Sequence, residues 1–456
     1  MNEKNGGISS ARMGQMPEGK LLLTLAVPIM LSMLVQALYN IVDSIYVAQV
    51  SEDCLTALSL VFPAQNIMIG LATGTGVGVS SLISRALGAN DRDRAGRVAG
   101  NALFLCLCCW AAMFAFGVFG AQWFVNTQID DAAVRDYAGS YLEIVSVGSI
   151  FLYFEITLER FLQSSSLTKL SMWTQMVGAV TNIVLDPFFI YGWCGLPAMG
   201  TAGAAVATVI GQAVGAGLGL FFHLKRNREV PLGLKFFRPN GRIIGEIYEI
   251  GFPSIIMMCI GSLTNYIMNL LLVSFTKTAV AVYGAYFKLQ SFFFLPVFGI
   301  NNGLIPIIGY NYGAGKVDRI HRTIKYGVLF AAVFMLTGLA LFELAPGLLL
   351  SAFNPSAEML DIGTHALRRI AVHFPIAAFC IVAGSACQAL NKSMFSLITS
   401  CMRQIFALIP TAYLLSLTGD VNNIWWCFLI AEIVSFVFSF FFLRKAMRDA
   451  DRRLLA

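Results

Sequence analysis

The sequence predicts an all-α membrane protein of twelve transmembrane helices, built as two parallel six-helix repeats. Three observations predict it. Apolar residues make up 57% of the 456-residue chain and charged residues 12%, with a mean hydropathy of +0.73, whereas a soluble domain carries about one-quarter charged residues. Twelve stretches are long and apolar enough to cross a bilayer, which takes about 20 residues each. The chain also matches itself without a gap when Pro28 is laid on Pro253: Asn40 then falls on Asn265, Gln65 on Gln290, Gln163 on Gln388, and Gly88-Ala89-x-x-x-Asp93-Arg94 on Gly313-Ala314-x-x-x-Asp318-Arg319. Only 13 of 70 positions are identical between residues 25–94 and 250–319, so the signal lies in which residues match. Such a duplication is the usual build of a transporter whose site lies between its repeats.

The spans read as 21–47, 54–84, 98–122, 137–161, 170–192 and 202–222 in the first half, then 247–274, 279–309, 325–350, 366–390, 396–418 and 423–443. Six is even, so both halves enter from one side and are parallel repeats. Residues 1–20 form a polar N-terminal tail, 21–222 one bundle, 247–443 the other, and 444–456 a basic tail. A linker over 223–246 carries Lys225, Arg226, Arg228, Lys235 and Arg238 beside Pro231 and Pro239. No cleavable signal peptide is expected before Leu21.

With the N-terminus inside, cytoplasmic segments hold 24 Lys and Arg and outside segments four. That bias puts both termini in the cytoplasm of a multi-pass protein of the cell membrane. The net charge of +6 then reflects topology and anionic lipid at the inner leaflet, and no nucleic-acid partner is expected. The ten cysteines lie almost entirely within apolar spans and read as buried small hydrophobes. No spacing suggests a structural metal, and no cofactor is expected.

Ionisable groups inside spans are costly and functional by default. On the first helix Ser32, Gln36, Asn40 and Asp43 follow i, i+4, i+8 and i+11 spacing, which puts them along one face, flanked by Tyr39 and Tyr46. In the second, Gly70-x-x-x-Gly74-x-Gly76-x-Gly78 has no following Lys-Ser/Thr and reads as close helix packing rather than a phosphate cradle. Gly211, Gly215 and Gly219 of the sixth helix read the same way. Glu155, Glu159 and Arg160 of the fourth read as a local ion pair near its inner end.

The fifth helix carries Asn182 and Asp186 on one face, and Pro187 removes a backbone donor there, loosening that turn. Asp43 lies 23 residues beyond Lys20 and Asp186 lies 17 beyond Lys169, so at ~1.5 Å per residue both fall in the outer part of the same bundle. Their repeat equivalents are Met268 and Thr411; the charge exists in one half only. Two carboxylates in a low-dielectric cavity resist ionising together, because desolvation and repulsion both favour the protonated form. Such a pair suits uptake and release of a proton. Oxygen donors at this spacing would equally hold sodium.

The second half has Lys288, Glu343, His373, Arg403 and Glu432. Lys288, with Asn265 and Gln290, is a candidate lining of a cavity in the C-terminal bundle. Glu343, Arg403 and Glu432 read as inter-helix pairing groups. Phe292, Phe293, Phe294 and Phe298 of the eighth helix suit either lipid contact or an aromatic cavity for flat cations.

The run Pro28…Gln36…Tyr39-Asn40-x-x-Asp43, the loop Gly88-Ala89, and Asn182-x-x-x-Asp186-Pro187 followed by Gly200-x-x-Gly203-Ala204-Ala205-x-Ala207-Thr208 resemble the multidrug and toxic compound extrusion (MATE) family, over about residues 20–445. The resemblance implies two bundles forming a V, alternating access, and a monomer that exports cationic or amphipathic drugs against proton or sodium influx. It carries the coupling-cation site onto Asp43, Asn182 and Asp186, with Thr208 as a neighbouring hydroxyl. Gly261 and Ala377-Ala378-Phe379 stand where one branch of the family has acids, which favours the branch with carboxylates in the N-terminal bundle.

On this reading Pro28 and Pro187 are hinges and Gln36, Tyr39 and Asn40 a polar stripe along the cavity. A flippase for lipid-linked precursors, of related architecture, would line its cavity with Arg or Lys, for which Lys288 is the one good candidate. An intramembrane prenyl-transferring enzyme would need Asp-rich motifs within a span. Asp130-Asp131 lies outside the spans, so no enzymatic activity is expected.

Overall fold

The computed structural model describes residues 9–233, 235–351, 353 and 355–455; residues 1–8 of the expected N-terminal tail and Ala456 of the basic tail lie outside them. The first half comprises α1 (Glu18–Ala48), α2 (Glu52–Gly88), α3 (Arg92–Ala115, continued through a π-helical turn Phe116–Gly120 to Ala121–Asn126), α4 (Ala132–Val147 and Ser149–Ser164), α5 (Thr168–Tyr191) and α6 (Thr201–Arg226). The second comprises α7 (Gly241–Val273), α8 (Lys277–Gly313), α9 (Val317–Leu344, then Pro346–Ser351), α10 (Ala357–Ala371 and Phe374–Ala389), α11 (Ser393–Cys401, a π-helical stretch Met402–Leu408, then Ile409–Ser416) and α12 (Cys427–Leu455). Among the described residues nine helices are long and apolar enough to cross a bilayer unbroken, and α4 and α10 are pairs bent by 48° and 49°. The twelfth is α5, 24 residues long and therefore about 36 Å; its polar face lowers its hydropathy.

The helices outrun the apolar spans at many ends, because a hydropathy window discards the charged turns that complete them. Thus α6 runs to Arg226 with His223, Lys225 and Arg226 in its last turn, where cations suit the helix dipole. The basic segment after residue 443 is likewise a continuation of α12.

The duplication is legible in the backbone. The register that lays Pro28 on Pro253 also lays the starts of α2, α3, α4 and α5 on those of α8, α9, α10 and α11, and the ends of α2 and α5 on those of α8 and α11. Ser51 caps α2 by accepting from the Cys54 amide, and Thr276, its equivalent, caps α8 by accepting from Ala279. Left-handed residues recur too: Asn90 and Gly315 after α2 and α8, Ser166 and Asn391 after α4 and α10. The halves differ at the π-helical stretch of α11, which has a regular α-helical equivalent in α5. Pro410 follows that stretch and has no N–H to close the regular turn.

Two compact units emerge, and each divides a helix. One holds Leu31–Gly251 with the described residues up to Arg12; the other holds Met13–Met30 and Phe252–Ala456. The sequence halves 21–222 and 247–443 therefore exchange the first part of their leading helices, and the cuts fall beside Pro28 and Pro253. Glycines and the matched loops explain the exchange. A Cβ on Gly78 would stand 2.2 Å from the Ile247 carbonyl oxygen, and one on Gly299 3.0 Å from Met30 Cα, so the entering helix packs on a glycine face of α2 or α8. The loop arginines then hold it. Arg94 pairs with Glu246 at 2.9 Å, and its equivalent Arg319 pairs with Glu18 at 3.1 Å while its Nη2 donates to the Met13 carbonyl. The glycine run of α2 is thus a packing surface.

Burial follows the helical period. Tyr286, Phe342, Phe374 and Trp425 are fully buried in the second unit, while Ile433, Val437 and Phe441 of α12 are exposed, as a lipid-facing stripe requires. The phenylalanines of α8 split the same way: Phe292 and Phe298 are exposed, Phe293 packs on Phe342 and Phe294 on Phe374. The expectation that the cysteines are buried holds for Cys54, Cys106, Cys380, Cys387 and Cys427 but fails for Cys108, Cys194 and Cys259, which are exposed. Cys108 and Cys259 lie on outer faces of their helices, and Cys194 lies in the 3-10 turn Trp193–Gly195 that follows α5.

Candidate functional site

Within the first unit α5 and α6 run backbone to backbone. A Cβ on Gly211 would stand 2.8 Å from the Gly178 carbonyl oxygen, and one on Gly178 3.0 Å from that of Gly211. This approach sets Asn182, one turn beyond Gly178, against Thr208, one turn before Gly211 and Gln212. Asn182 Nδ2 donates to Thr208 Oγ1 at 3.3 Å and to Asp186 Oδ1 at 3.4 Å.

The part of α1 over residues 31–48 is tied to α5 at two levels. Gln175 Nε2 donates to Gln36 Oε1 at 3.1 Å. Nearer the other end, the Tyr191 hydroxyl lies 2.9 Å from the Tyr46 carbonyl oxygen and 3.0 Å from Gln49 Oε1. Between these ties Asp43 comes level with the turn that carries Asn182 and Asp186, near enough for its charge to act on Asp186. Tyr39 lies within the field of both carboxylates and of Glu155.

All three oxygen-bearing side chains are buried: Asp43 is 9% exposed, Asn182 2% and Asp186 0%. Asp43 Oδ1, Asn182 Oδ1 and Asp186 Oδ2 each have no hydrogen-bond partner among the described residues. Buried polar atoms almost always find partners. Three acceptors in one seam without donors suit a proton or a small hard cation, whose ligands are oxygens.

The other expected residues are placed unevenly. Thr208 is buried, Gln36 and Tyr39 are half-buried, and Asn40 is exposed, taking no part in this group. Its helical position explains that: at 100° per residue Asn40 lies about 60° around the helix from Asp43. Pro28 and Pro187 are both buried, and α1 and α5 continue through them unbroken. In the second unit Lys288 is exposed, with Nζ 6.0 Å above the Phe353 ring. Asn265 Oδ1 accepts from the Tyr283 hydroxyl at 3.0 Å, and Gln290 is half-buried; these three side chains do not form one group in the contacts seen.

The sequence reads Glu155 with Glu159 and Arg160 as a local ion pair near the inner end of α4, whereas the structure seats Glu155 against α5 and α6. A Cβ on Gly215 would stand 2.2 Å from Glu155 Oε1, and one on Gly178 3.2 Å, so the carboxylate occupies a notch that two glycines leave open in the α5–α6 seam. Glu159 accepts from Thr174 at 3.4 Å, and Arg160 donates to Gln163 at 3.1 Å. The signal was present in the glycines that face it, Gly178 and Gly215.

Comparison with known proteins gives this arrangement a family. The MatE family model matches twice, over residues 28–188 and 253–414, and so covers each repeat in turn. The chain belongs to the MatE family. This MatE chain is 23% identical over 410 residues to the multidrug export protein MepA of Staphylococcus saprophyticus, covering 90% of each chain. It is 24% identical over 427 residues to MepA of Staphylococcus aureus strain MRSA252, covering 91% of each. Among solved structures it resembles an outward-facing multidrug resistance MATE family transporter, with a TM-score of 0.91, 24% identity and coverage of 99% of this chain and 100% of that one. A MATE structure in the bent conformation gives a TM-score of 0.90 at 23% identity, covering 100% of both. The MatE chain is therefore a multi-pass membrane transporter, not an enzyme, with the fold of those structures.

Proposed function

We propose that this MatE protein is a secondary active multidrug efflux antiporter. It exports cationic or amphipathic organic compounds in exchange for a proton or sodium ion held by Asp43, Asn182 and Asp186, with Thr208 orienting Asn182. The observation that carries this reading is the trio of buried oxygens without donors where α1, α5 and α6 meet. The relatives named as multidrug export proteins support the export of drugs.

Binding energy drives transport only as far as the ion favours one conformation over another. Charge at Asp43 and Asp186 supplies that preference, since neutralising a buried carboxylate pair removes repulsion and desolvation together. Pro28 supplies a hinge: it sits within three residues of the point where α1 passes from one compact unit to the other, and its missing N–H makes bending cheap there. The loops rich in Lys and Arg lie on the cytoplasmic side of the cell membrane, with both termini.

The test is export by Asp43→Asn in proteoliposomes under imposed proton or sodium gradients, against a panel of organic cations. Loss of export with normal folding and insertion is expected. Normal export by the variant would remove the mechanism.

A further inference from the structure

We propose that His373, Glu432 and Arg403 form a second proton-binding centre, buried in the C-terminal six helices. It lies outside the site of Asp43 and Asp186 and does not depend on the reading given to that site.

Glu432 of α12 is 2% exposed and pairs through Oε2 with Arg403 Nη1 at 3.4 Å. Arg403 stands in the π-helical stretch of α11, a local form frequent at functional sites. The pair uses one carboxylate oxygen; Oε1 has no hydrogen-bond partner among the described residues. The buried Tyr286 hydroxyl, within the field of Glu432 and Arg403, shares that condition. An acceptor and a hydroxyl that does either suit water, the ordinary occupant of such an interior.

His373 sits between the two segments of α10. Its Nδ1 faces the Ile370 carbonyl oxygen, which only accepts, so Nδ1 carries the proton in the neutral ring and Nε2 is left as a base. Phe374 meets the ring edge-on at 5.1 Å and Phe428 stacks on it at 6.0 Å, fixing its orientation. Glu432 and Arg403 are both near enough to act on it electrostatically.

The groups facing this nest are Tyr283 and Tyr286 from α8, Cys380 from α10, Arg403 from α11, and Cys427 and Glu432 from α12. The α9 neighbour is Phe342, followed by Glu343, whose backbone carbonyl takes Arg368 Nε. With His373 neutral the ion pair sums to zero. A proton adding to Nε2 breaks no bond and makes the nest +1; Phe428, which stacks on the ring, stands one turn before Glu432 on α12.

Tyr283 bonds to Asn265 and stacks on both Tyr286 and Trp425, at 6.3 and 6.5 Å. The repeat equivalents of His373, Arg403 and Glu432 are Gly148, Gly178 and Ala207. The half that lacks the first site's carboxylates thus carries ionisable groups of its own, in the seam that in the other half holds Glu155.

The chain has four histidines, so 15N-histidine labelling of the purified protein resolves each ring, with His373→Gln assigning its signal. The expected result is that the His373 ring passes from the neutral Nδ1–H form to imidazolium while the protein remains folded. Its midpoint should move by about one pH unit or more in Glu432→Gln, as loss of an adjacent opposite charge requires, and hold in Asp43→Asn. A ring that stays neutral until unfolding, or a midpoint indifferent to Glu432→Gln, overturns the proposal. Either result leaves the Asp43 export test untouched, and failure of that test leaves this titration untouched.

Discussion

Asn182→Ala separates two jobs that one side chain performs. Its Nδ2 holds Thr208 at 3.3 Å and Asp186 at 3.4 Å, while its Oδ1 stands without a donor beside the two carboxylates. The neutral bond is worth about 1 kcal/mol and the bond to a carboxylate about 1.5–3. Both are longer than the usual 2.9–3.0 Å, which places the combined stability loss near the low end, about 2 kcal/mol. Loss of Oδ1 as a ligand acts on ion affinity instead. A hydrogen bond or dipole contact to a charged group of about 1.5–3 kcal/mol becomes a roughly 10- to 150-fold weaker ion, at 1.4 kcal/mol per tenfold.

Thr208→Val removes one neutral bond and leaves Oδ1 in place, so its effect on affinity should stay within about fivefold. Sodium titration calorimetry and proton uptake by the purified protein measure both variants. If Asn182→Ala binds the coupling ion within threefold of the parent, or Thr208→Val is the worse of the two, these four residues do not form the ion site.

Asp186→Asn keeps the oxygen that accepts from Asn182 and removes the charge, so proton uptake on binding should fall while the unfolding midpoint holds; unchanged uptake would argue against a shared pair. Gly211→Ala puts a methyl 2.8 Å from the Gly178 carbonyl oxygen, where backbone must yield, and should cost about 1–3 kcal/mol, read as a lower unfolding midpoint in detergent. Gly217→Ala, with nothing within 4 Å of its Cβ, is the matched control and should not lower it. Arg319→Ala leaves Glu18 buried without its ion-pair partner and removes the bonds from Arg319 to the Met13 and Met16 carbonyls, the first of which Asn311 still holds, a loss of about 3 kcal/mol. The chain over residues 13–19 should then become sensitive to protease, and protection equal to the parent would show that the ion pair does not hold this segment.

Much of the fold was written in periodicities. The self-match that lays Pro28 on Pro253, together with twelve apolar runs, required a duplicated helical membrane protein, because lipid leaves no other way to satisfy the backbone of a single chain rich in long apolar segments. Spacing of four residues put Asn182 and Asp186 on one face, and that face is buried. Spacing could not show which way the face turned. Asn40 shares the stripe of Asp43 yet is exposed, and Glu155 reads as a local ion-pair partner near the inner end of its helix yet fills a notch that Gly178 and Gly215 leave open.

The sequence by itself determined the number of helices, their pairing into repeats and the residues able to carry charge, since all of these depend on local spacing and composition. Only the tertiary structure decided that α1 and α7 each divide between two compact units, and that α5 and α6 touch at Gly178 and Gly211. It also decided that oxygens of Asp43, Asn182 and Asp186 are buried without donors. Those outcomes rest on contacts between residues far apart along the chain, where close packing selects among faces that the sequence leaves equivalent.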